Sequence, residues 1–591
     1  MSEQPSPGEV LETGKRLSDS ATWRLQREFF DRSGARAWSE GRVPFHVTSN
    51  AYIAEAYLWV ALRFLQDCAR APADSALALD PTRPVYVVEL GAGHGYFGYL
   101  FLCKLLEARA RLPFALPPIC YVLTDFTESN LAAWRKHERL RPFFAAGMLD
   151  VARFDVERDR TLRLENSGVE LRPGSAVNPM VFVANYVFDS LSHDVFRIQR
   201  GQLEEGLATL RVARPSADRR DDRDILEHVD VSYDYQPVAD ATTYYPEEPL
   251  ASRVLADYAS RLGDTAFAFP LGAVRCMHHI ADLAGGRLLM LTADKGYARE
   301  LDLVGLGDPS MAHHRGGISM MVNYHALGEL VAQRGGVMLN QVARAAALEI
   351  CALVLGAGQT LPETRLAFDQ LMERVGPTDV YRLLEQMAFD KMDLDQLLSV
   401  LRMAAWDPIT FISLSRDLHR CAGDAYLEQA ARLRDALQQV WALHFPLADG
   451  KDVAFELGFV YYAMRRYREA MAFYERSIAL YGDHQVTLFN MGLCQFQQGK
   501  LDEALALFDR ALVQAPTYAP ARDWRMRVQS ERAQRAALGD ESPAIAGEPI
   551  HAGLATGPGL VGLRPAEPGG AAAVVVRVAD GQERLDAPGL A

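Results

Sequence analysis

The chain has 591 residues, 49% of them hydrophobic and 23% charged, and a formal net charge of −14. That length supports several domains with a substantial core. The acidic balance argues against a general nucleic-acid binder, because such binding draws on counterion release by basic side chains. Seven cysteines are dispersed without a CxxC pair, which points to reduced thiols and a cytoplasmic location. The first residues lack a basic segment followed by an apolar run, so no signal peptide is expected. No apolar stretch approaches the ~20 residues that span a bilayer, so no membrane partner is expected.

Residues 20–70 read as helical. Trp23, Leu25, Phe29 and Phe30 recur at helical spacing. After a break at Pro44 to Asn50, a long apolar helix runs from Ala51 to Cys68, with Thr48, Ser49 or Asn50 as its N-cap. Residues 1–84 are thus expected to form a helical cap or lid. From 85 the pattern alternates, with strands expected at 85–90, 120–124, 153–156, 180–184 and 287–292 and helices at 96–110 and 127–139. Such alternation predicts an α/β domain with a doubly wound, mostly parallel sheet, set at 85–345. The charged and then Tyr/Pro-rich stretch 212–250 reads as an insertion of loops and short strands. Residues 320–334 close the sheet and start its last helix.

Beyond about 360 strand signals fade. Leu457, Gly458, Tyr461, Ala470, Tyr474 and Ser477 are followed by Met491, Gly492, Gln495, Ala504, Phe508 and Ala511, each 34 residues later. This is the tetratricopeptide (TPR) pattern, in which small residues let paired helices approach and aromatics fill the gaps. An all-α repeat domain is expected over 360–536, with units at about 454–487 and 488–521. Residues 519–536 would be its solvating cap helix, and 360–445 a degenerate part of the array. Stacked helix pairs present a groove for peptides or helices, so the expected partner is a protein or peptide. Residues 537–591, rich in Gly, Ala and Pro, are expected to be disordered.

The chemistry concentrates at Val85-Tyr86-Val87-Val88-Glu89-Leu90-Gly91-Ala92-Gly93-His94-Gly95. A strand ending in alternate glycines lets backbone touch a ligand without intervening side chains. An S-adenosylmethionine (SAM) site needs an acid before that turn for the methionyl ammonium, and Glu89 is in place. It needs an acid at the end of the next strand for the ribose hydroxyls, and Asp125 fits. A polar group after the third strand takes the adenine amine, and Asp155 fits. Two other readings stay open. Gly93, Gly95 and Gly98 also spell the dinucleotide GxGxxG, a weak signal when alone, although Glu89 would repel a pyrophosphate. The turn can also serve only helix–strand packing. Adjacent histidines at 278–279 and 313–314 point apart on any regular element, and no metal site is expected.

The fourth strand ends in Ala184-Asn185-Tyr186-Val187-Phe188-Asp189-Ser190-Leu191-Ser192. This resembles the A-N-E-F-F-D-A-L-P motif of the MidA-like SAM-dependent methyltransferases. Phe45-His46-Val47-Thr48-Ser49 is similar to their D-F-x-T-S, Asp294-Lys295-Gly296-Tyr297 to D-Y-G-Y, and Gly317 to Tyr324 to D-I-T-x-H-V-D-F. The matches keep their order and cover roughly residues 20–340. The resemblance implies a class I methyltransferase fold, SAM as cofactor, and a protein or peptide acceptor; one family member methylates arginine. Here Tyr186 replaces the motif's Glu, and Gly317, Met321 and Asn323 replace an Asp, a His and an Asp. Losing the Glu weakens an arginine assignment, since a guanidinium is usually held by carboxylates.

Two readings follow. In the first, the chain is a SAM-dependent methyltransferase. Glu89, Gly91, Gly93, Gly95, Asp125 and Asp155 hold the cofactor, Thr48 and Ser49 line its pocket from the lid, and Asn185 and Asp189 orient or deprotonate the acceptor. In the second, the fold has lost transfer activity and serves as a scaffold through its repeats. For Asp189 a plain helix-capping role competes with the functional one.

Overall fold

The computed structural model describes residues 9–34, 46–109, 111–112, 114–212, 226–314, 317–342, 348–356, 361–447 and 449–538. The chain divides into two compact units at Asp379/Val380.

In the first unit the strands used below are β1 (Glu9–Arg16), β2 (Val85–Glu89), β3 (Ile119–Asp125), β4 (Leu149–Arg153), β5 (Met180–Asn185), β6 (Asp194–Gln199), β7 (Gln202–Val212), β8 (Val229–Pro237), β9 (Thr265–Phe269), β10 (Leu288–Tyr297), β11 (Val322–Asn323), β12 (Val337–Asn340) and β13 (Leu348–Leu355). The helices are α1 (Ala21–Ser33), α2 (Ala51–Arg70), α3 (Tyr96–Arg109), α4 (Glu128–Lys136), α5 (Pro249–Arg261), α6 (Leu271–Leu283), α7 (Tyr324–Gln333) and α8 (Pro362–Phe368). The central sheet runs β12-β13-β10-β5-β2-β3-β4, with β11 beside β10. Strands β10, β5, β2, β3 and β4 are mutually parallel, and β13 is antiparallel to both neighbours. This is the expected doubly wound, mostly parallel arrangement. All residues of β13 and the first five of β5 are buried, as expected of strands covered on both faces. Strand order reverses between β2 and β5, and a crevice at such a switch point is where open α/β sheets take ligands.

Three departures from the sequence reading have physical causes. The third strand is 149–153, not 153–156; a buried acid within it breaks the apolar run that marks a strand. Asp150 accepts from the amides of Val151, Asn166 and Ser167 at 2.8 to 2.9 Å, so a carboxylate is tolerated in a strand interior. The N-terminal segment is not purely helical. Its exposed polar strand β1 pairs with β7 in a second, antiparallel sheet ordered β1-β7-β6-β9, with β8 also on β7. An edge strand held by backbone pairing leaves little side-chain periodicity to read. The 212–250 stretch supplies the nine-residue β8, paired along β7, rather than only short strands; its residues 213–225 lie outside the described ones.

The sheet also continues past the expected boundary at 345, since β13 ends at Leu355. Helix α8 belongs to the first unit as well. Its N-terminal amides at Glu363 and Thr364 are capped by Asp67 of α2, at 3.2 and 2.9 Å. The repeat unit therefore begins later than 360.

The second unit contains α9 (Leu394–Met403), α10 (Pro408–Ala422), α11 (Leu427–Leu443), α12 (Val453–Ala463), α13 (Tyr467–Tyr481), α14 (Gln485–Gln497), α15 (Leu501–Gln514) and α16 (Ala519–Leu538). A Cβ on Gly458 would lie 2.8 Å from the Tyr474 ring, and one on Gly492 2.5 Å from the Phe508 ring. The same small-against-aromatic contact thus recurs in both hairpins. The second hairpin opens at Gln485, so the expected frame starting at 488 cuts its first turn. The expected disordered tail lies outside the described residues, apart from the end of α16.

Candidate functional site

The turn after β2 is built as the glycines require. Gly91, Gly93 and Gly95 have φ of 59, 55 and 80°, the left-handed region that other residues enter at a cost. Trp134 of α4 donates from Nε1 to the Gly93 carbonyl at 3.0 Å and leaves no room beside Gly95, where a Cβ would sit 3.0 Å from its ring. His94 Nδ1 accepts from the Tyr96 amide at 3.1 Å, at the start of α3.

The three expected acids end up in different circumstances. Glu89 is buried beneath α3. Its Oε2 accepts from Tyr121 Oη at 2.9 Å, and the Gly98 amide also donates to it. Burial outweighs these donors and pushes its pKa up to about 8. Asp125 lies at the end of β3 against the turn. Its carboxylate accepts from the Gly93 amide at 3.3 Å, the Thr127 amide and hydroxyl at 2.9 and 3.0 Å, and Asn130 Nδ2 at 2.8 Å. Burial raises its pKa despite the four donors. Asp155 stands two residues past β4 and is held by Arg27 of α1, with Nη1 donating to Oδ2 at 2.7 Å and Nη2 to Oδ1 at 2.9 Å. Arg27 thus engages both its oxygens.

At the end of β5, Asn185 ties that strand to α2 and the turn before it. Its Oδ1 accepts from Tyr57 Oη of α2 at 3.0 Å, and its Nδ2 donates to the Thr48 carbonyl at 3.0 Å. Thr48 is buried and Ser49 half-buried in the turn before α2, whose N-cap is Asn50, accepting from the Ile53 amide. Tyr186 follows with φ of 53°, an uncommon conformation for a bulky side chain of the kind that gathers at functional sites. Asp189 is not a helix N-cap. It lies inside a short 3₁₀ turn, Phe188–Ser190, accepts from Ser190 Oγ at 2.8 Å, and interacts electrostatically with Asp294 of β10.

Asp294 is fully buried, and its Oδ2 accepts from the Phe188 amide and Tyr324 Oη, both at 3.2 Å. Burial raises both carboxyls, and the Asp189 charge raises Asp294 further. Two like charges buried this close disfavour ionisation of both at once. The sequence signal for Asp294 was its place in Asp294-Lys295-Gly296-Tyr297. Arg27, Tyr57 and Trp134 had no motif to reveal them.

The tetratricopeptide repeat family model matches residues 450–515, the α12–α15 region. No curated protein matches the chain. Two solved structures from Burkholderia thailandensis are similar to it, each 16% identical with a TM-score of 0.32. One, an uncharacterized protein, is covered over 94% of its length and covers 59% of this chain. The other, a superfamily member bound to S-adenosyl-homocysteine and described as a candidate methyl transferase, is covered over 95% and covers 60%. Among the described residues, no helix is long and apolar enough to cross a membrane, and no group of three or more His, Cys, Asp or Glu is placed to hold a metal ion.

Proposed function

We propose that the first unit is a SAM-dependent methyltransferase acting on a protein or peptide recruited by the repeat unit. The observation that carries this reading is the left-handed glycine turn at the β2/β5 switch point with Asp125 against it. Bound there, the cofactor supplies an electrophilic methyl group on a sulfonium. The backbone of Gly91, Gly93 and Gly95 admits it closely, and Asp125 accepts from the ribose hydroxyls by exchanging some of its present donors. Glu89 supplies negative charge for the methionyl ammonium, and Thr48 and Ser49 close the pocket from above. Asn185 and Asp189 face the acceptor. Asp189 and Asp294 would take the proton the acceptor loses as it gains the methyl group, the cofactor's sulfur keeping the electron pair of the broken carbon–sulfur bond and leaving as S-adenosylhomocysteine. Placement supplies most of the rate, as in any transfer between two aligned reactants.

One observation favours the scaffold reading instead. Glu89 and Asp125 are already satisfied by protein donors, as they would be in a turn that only braces α3 against the sheet. Calorimetric titration of S-adenosylhomocysteine into wild type and Asp125→Ala separates the two. Micromolar binding by wild type, weakened at least about 100-fold in the variant, is expected from losing two charge-assisted hydrogen bonds of roughly 1.5–3 kcal/mol each. No heat with wild type would leave the scaffold reading.

A further inference from the structure

Helix α1 is tied to the ends of several different strands. Beyond β5, buried Gln26 donates from Nε2 to the Ser190 carbonyl at 2.9 Å, and its Oε1 accepts from the Ile318 amide at 2.8 Å. Beyond β4, Arg27 donates to both oxygens of Asp155 and to Glu157 Oε2 at 3.1 Å. Past the end of β3, the same guanidinium lies 5.3 Å from the centroid of the Phe126 ring, next to Asp125. Where α1 ends, Gly34 approaches Ser129 so closely that a Cβ would overlap its hydroxyl. The helix therefore crosses the carboxyl ends of the sheet from the acceptor side to the side where Asp125 would hold the ribose.

The attachments differ in kind. Those of Gln26 are neutral and buried. Those of Arg27 are ionic and half-buried, with side-chain exposures of 25% for Arg27, 16% for Asp155 and 12% for Glu157. Burial alone would lower the Arg27 pKa, but Asp155 and Glu157 raise it, so the guanidinium stays charged. Arg158 adds a weaker contact to Asp155 at 3.7 Å from an exposed position.

We propose that Arg27 is the latch of the cofactor crevice: its ion pair with Asp155 and Glu157 holds α1 over the adenine side, and cofactor enters and leaves when that pair opens. The inference rests on the SAM reading above and gives Asp155 a different task, keeper of the latch rather than acceptor for the adenine amine. Phe126, freed on one face when Arg27 swings away, is the surface the base would meet. An ionic latch is weakened by salt, whereas the neutral contacts of Gln26 are not.

Stopped-flow tryptophan fluorescence with S-adenosylhomocysteine on the full chain tests this, with Trp134 at the glycine turn as the natural reporter. Arg27→Met and Asp155→Asn should each raise association and dissociation rate constants about tenfold, equivalent to ~1.4 kcal/mol of closure, with little change in Kd. Wild-type rates should rise with added salt, those of Arg27→Met should not, and Arg27→Lys should fall between. Circular dichroism melting checks that each variant folds. Unchanged rates in Arg27→Met overturn the latch and leave the cofactor reading standing. Faster dissociation alone in Asp155→Asn, with weaker affinity, returns Asp155 to a direct contact with adenine and also overturns it. Absence of binding by wild type and Arg27→Met alike removes the cofactor reading, and the latch with it.

Discussion

In the first unit Gly91, Gly93 and Gly95 sit at positive φ in a turn, whereas in the repeat unit Gly458 and Gly492 are ordinary helical residues pressed against Tyr474 and Phe508. The turn glycines are required by backbone conformation, and the repeat glycines by the distance between two helices. A substitution in the turn should therefore strain the backbone and block a ligand, while one in the repeat should force helices apart and leave the crevice alone. The two units also each bury a glutamate whose pKa is pushed up to about 8, Glu89 under the turn and Glu456 in α12. Similar pKa values again have different surroundings: Glu89 lies under the glycine turn, beside which the proposed cofactor's cation would sit, and Glu456 is bonded by Ser415 within the repeat unit.

The largest effect is expected at Gly492. Placing a valine 2.5 Å from the Phe508 ring overpacks the hairpin, and about 3 kcal/mol should be lost. Denaturation of the full chain should show an earlier transition for the repeat unit, with S-adenosylhomocysteine affinity unchanged. A matching fall in affinity would mean that the two glycine sets are not independent.

Next comes Glu456. Burial raises its pKa, with the nearby charge of Asp452 adding to this and a 2.7 Å bond from Ser415 Oγ opposing it. Below the unfolded value of 4.5 both states are protonated. Between that value and about 8 the unfolded state releases a proton that the folded state keeps. Stability contributed at low pH is therefore lost as pH rises through this window and levels off above it. Glu456→Gln, with no proton to lose, should flatten that slope and gain stability relative to wild type as pH rises from 4 to 8. Urea midpoints across this range measure it. Parallel slopes in the two proteins would place the titration elsewhere.

Much of this contrast was legible in the sequence because it depends on local chemistry. A 34-residue period marks helix pairs directly, and alternate glycines after a buried strand mark a turn. The carboxyl ends of β2, β3 and β5 followed, since a strand and its terminal acid are adjacent in sequence. What was illegible depends on chain-distant partners. Asp150 hid β4 because its three amide donors come from its own neighbour and from residues 166–167. Strand β1 exists because β7 offers its edge. Arg27 is one arginine among many until α1 brings it to Asp155, 128 residues away.

A smaller effect is expected in the turn. Gly93→Ala keeps a short side chain but must hold φ near 55°, which costs roughly 1–2 kcal/mol. Because the Gly93 amide donates to Asp125 and its carbonyl accepts from Trp134, the strain should spread to both. Affinity for S-adenosylhomocysteine should fall along with the melting temperature of the first unit. Lower stability with full affinity would indicate that the ligand does not approach this backbone.

The finest test concerns Glu89. In the free protein its carboxyl is protonated over most of the neutral range, because burial holds its pKa up to about 8. A methionyl ammonium brought beside it favours the carboxylate, so binding at pH 7 should release a fraction of a proton. Affinity should then rise with pH up to about 8 and flatten above it. Titrations in buffers of different ionisation enthalpy measure that release as a buffer-dependent heat. Glu89→Gln should abolish the buffer dependence while keeping the bonds from Tyr121 and Gly98, since an amide oxygen accepts as a carboxyl does. If wild type binds with no proton release, Glu89 only braces α3 against β3. The charge that meets the ammonium must then come from another group at the switch point, and the buried carboxyls of Asp189 and Asp294 are the groups to vary next.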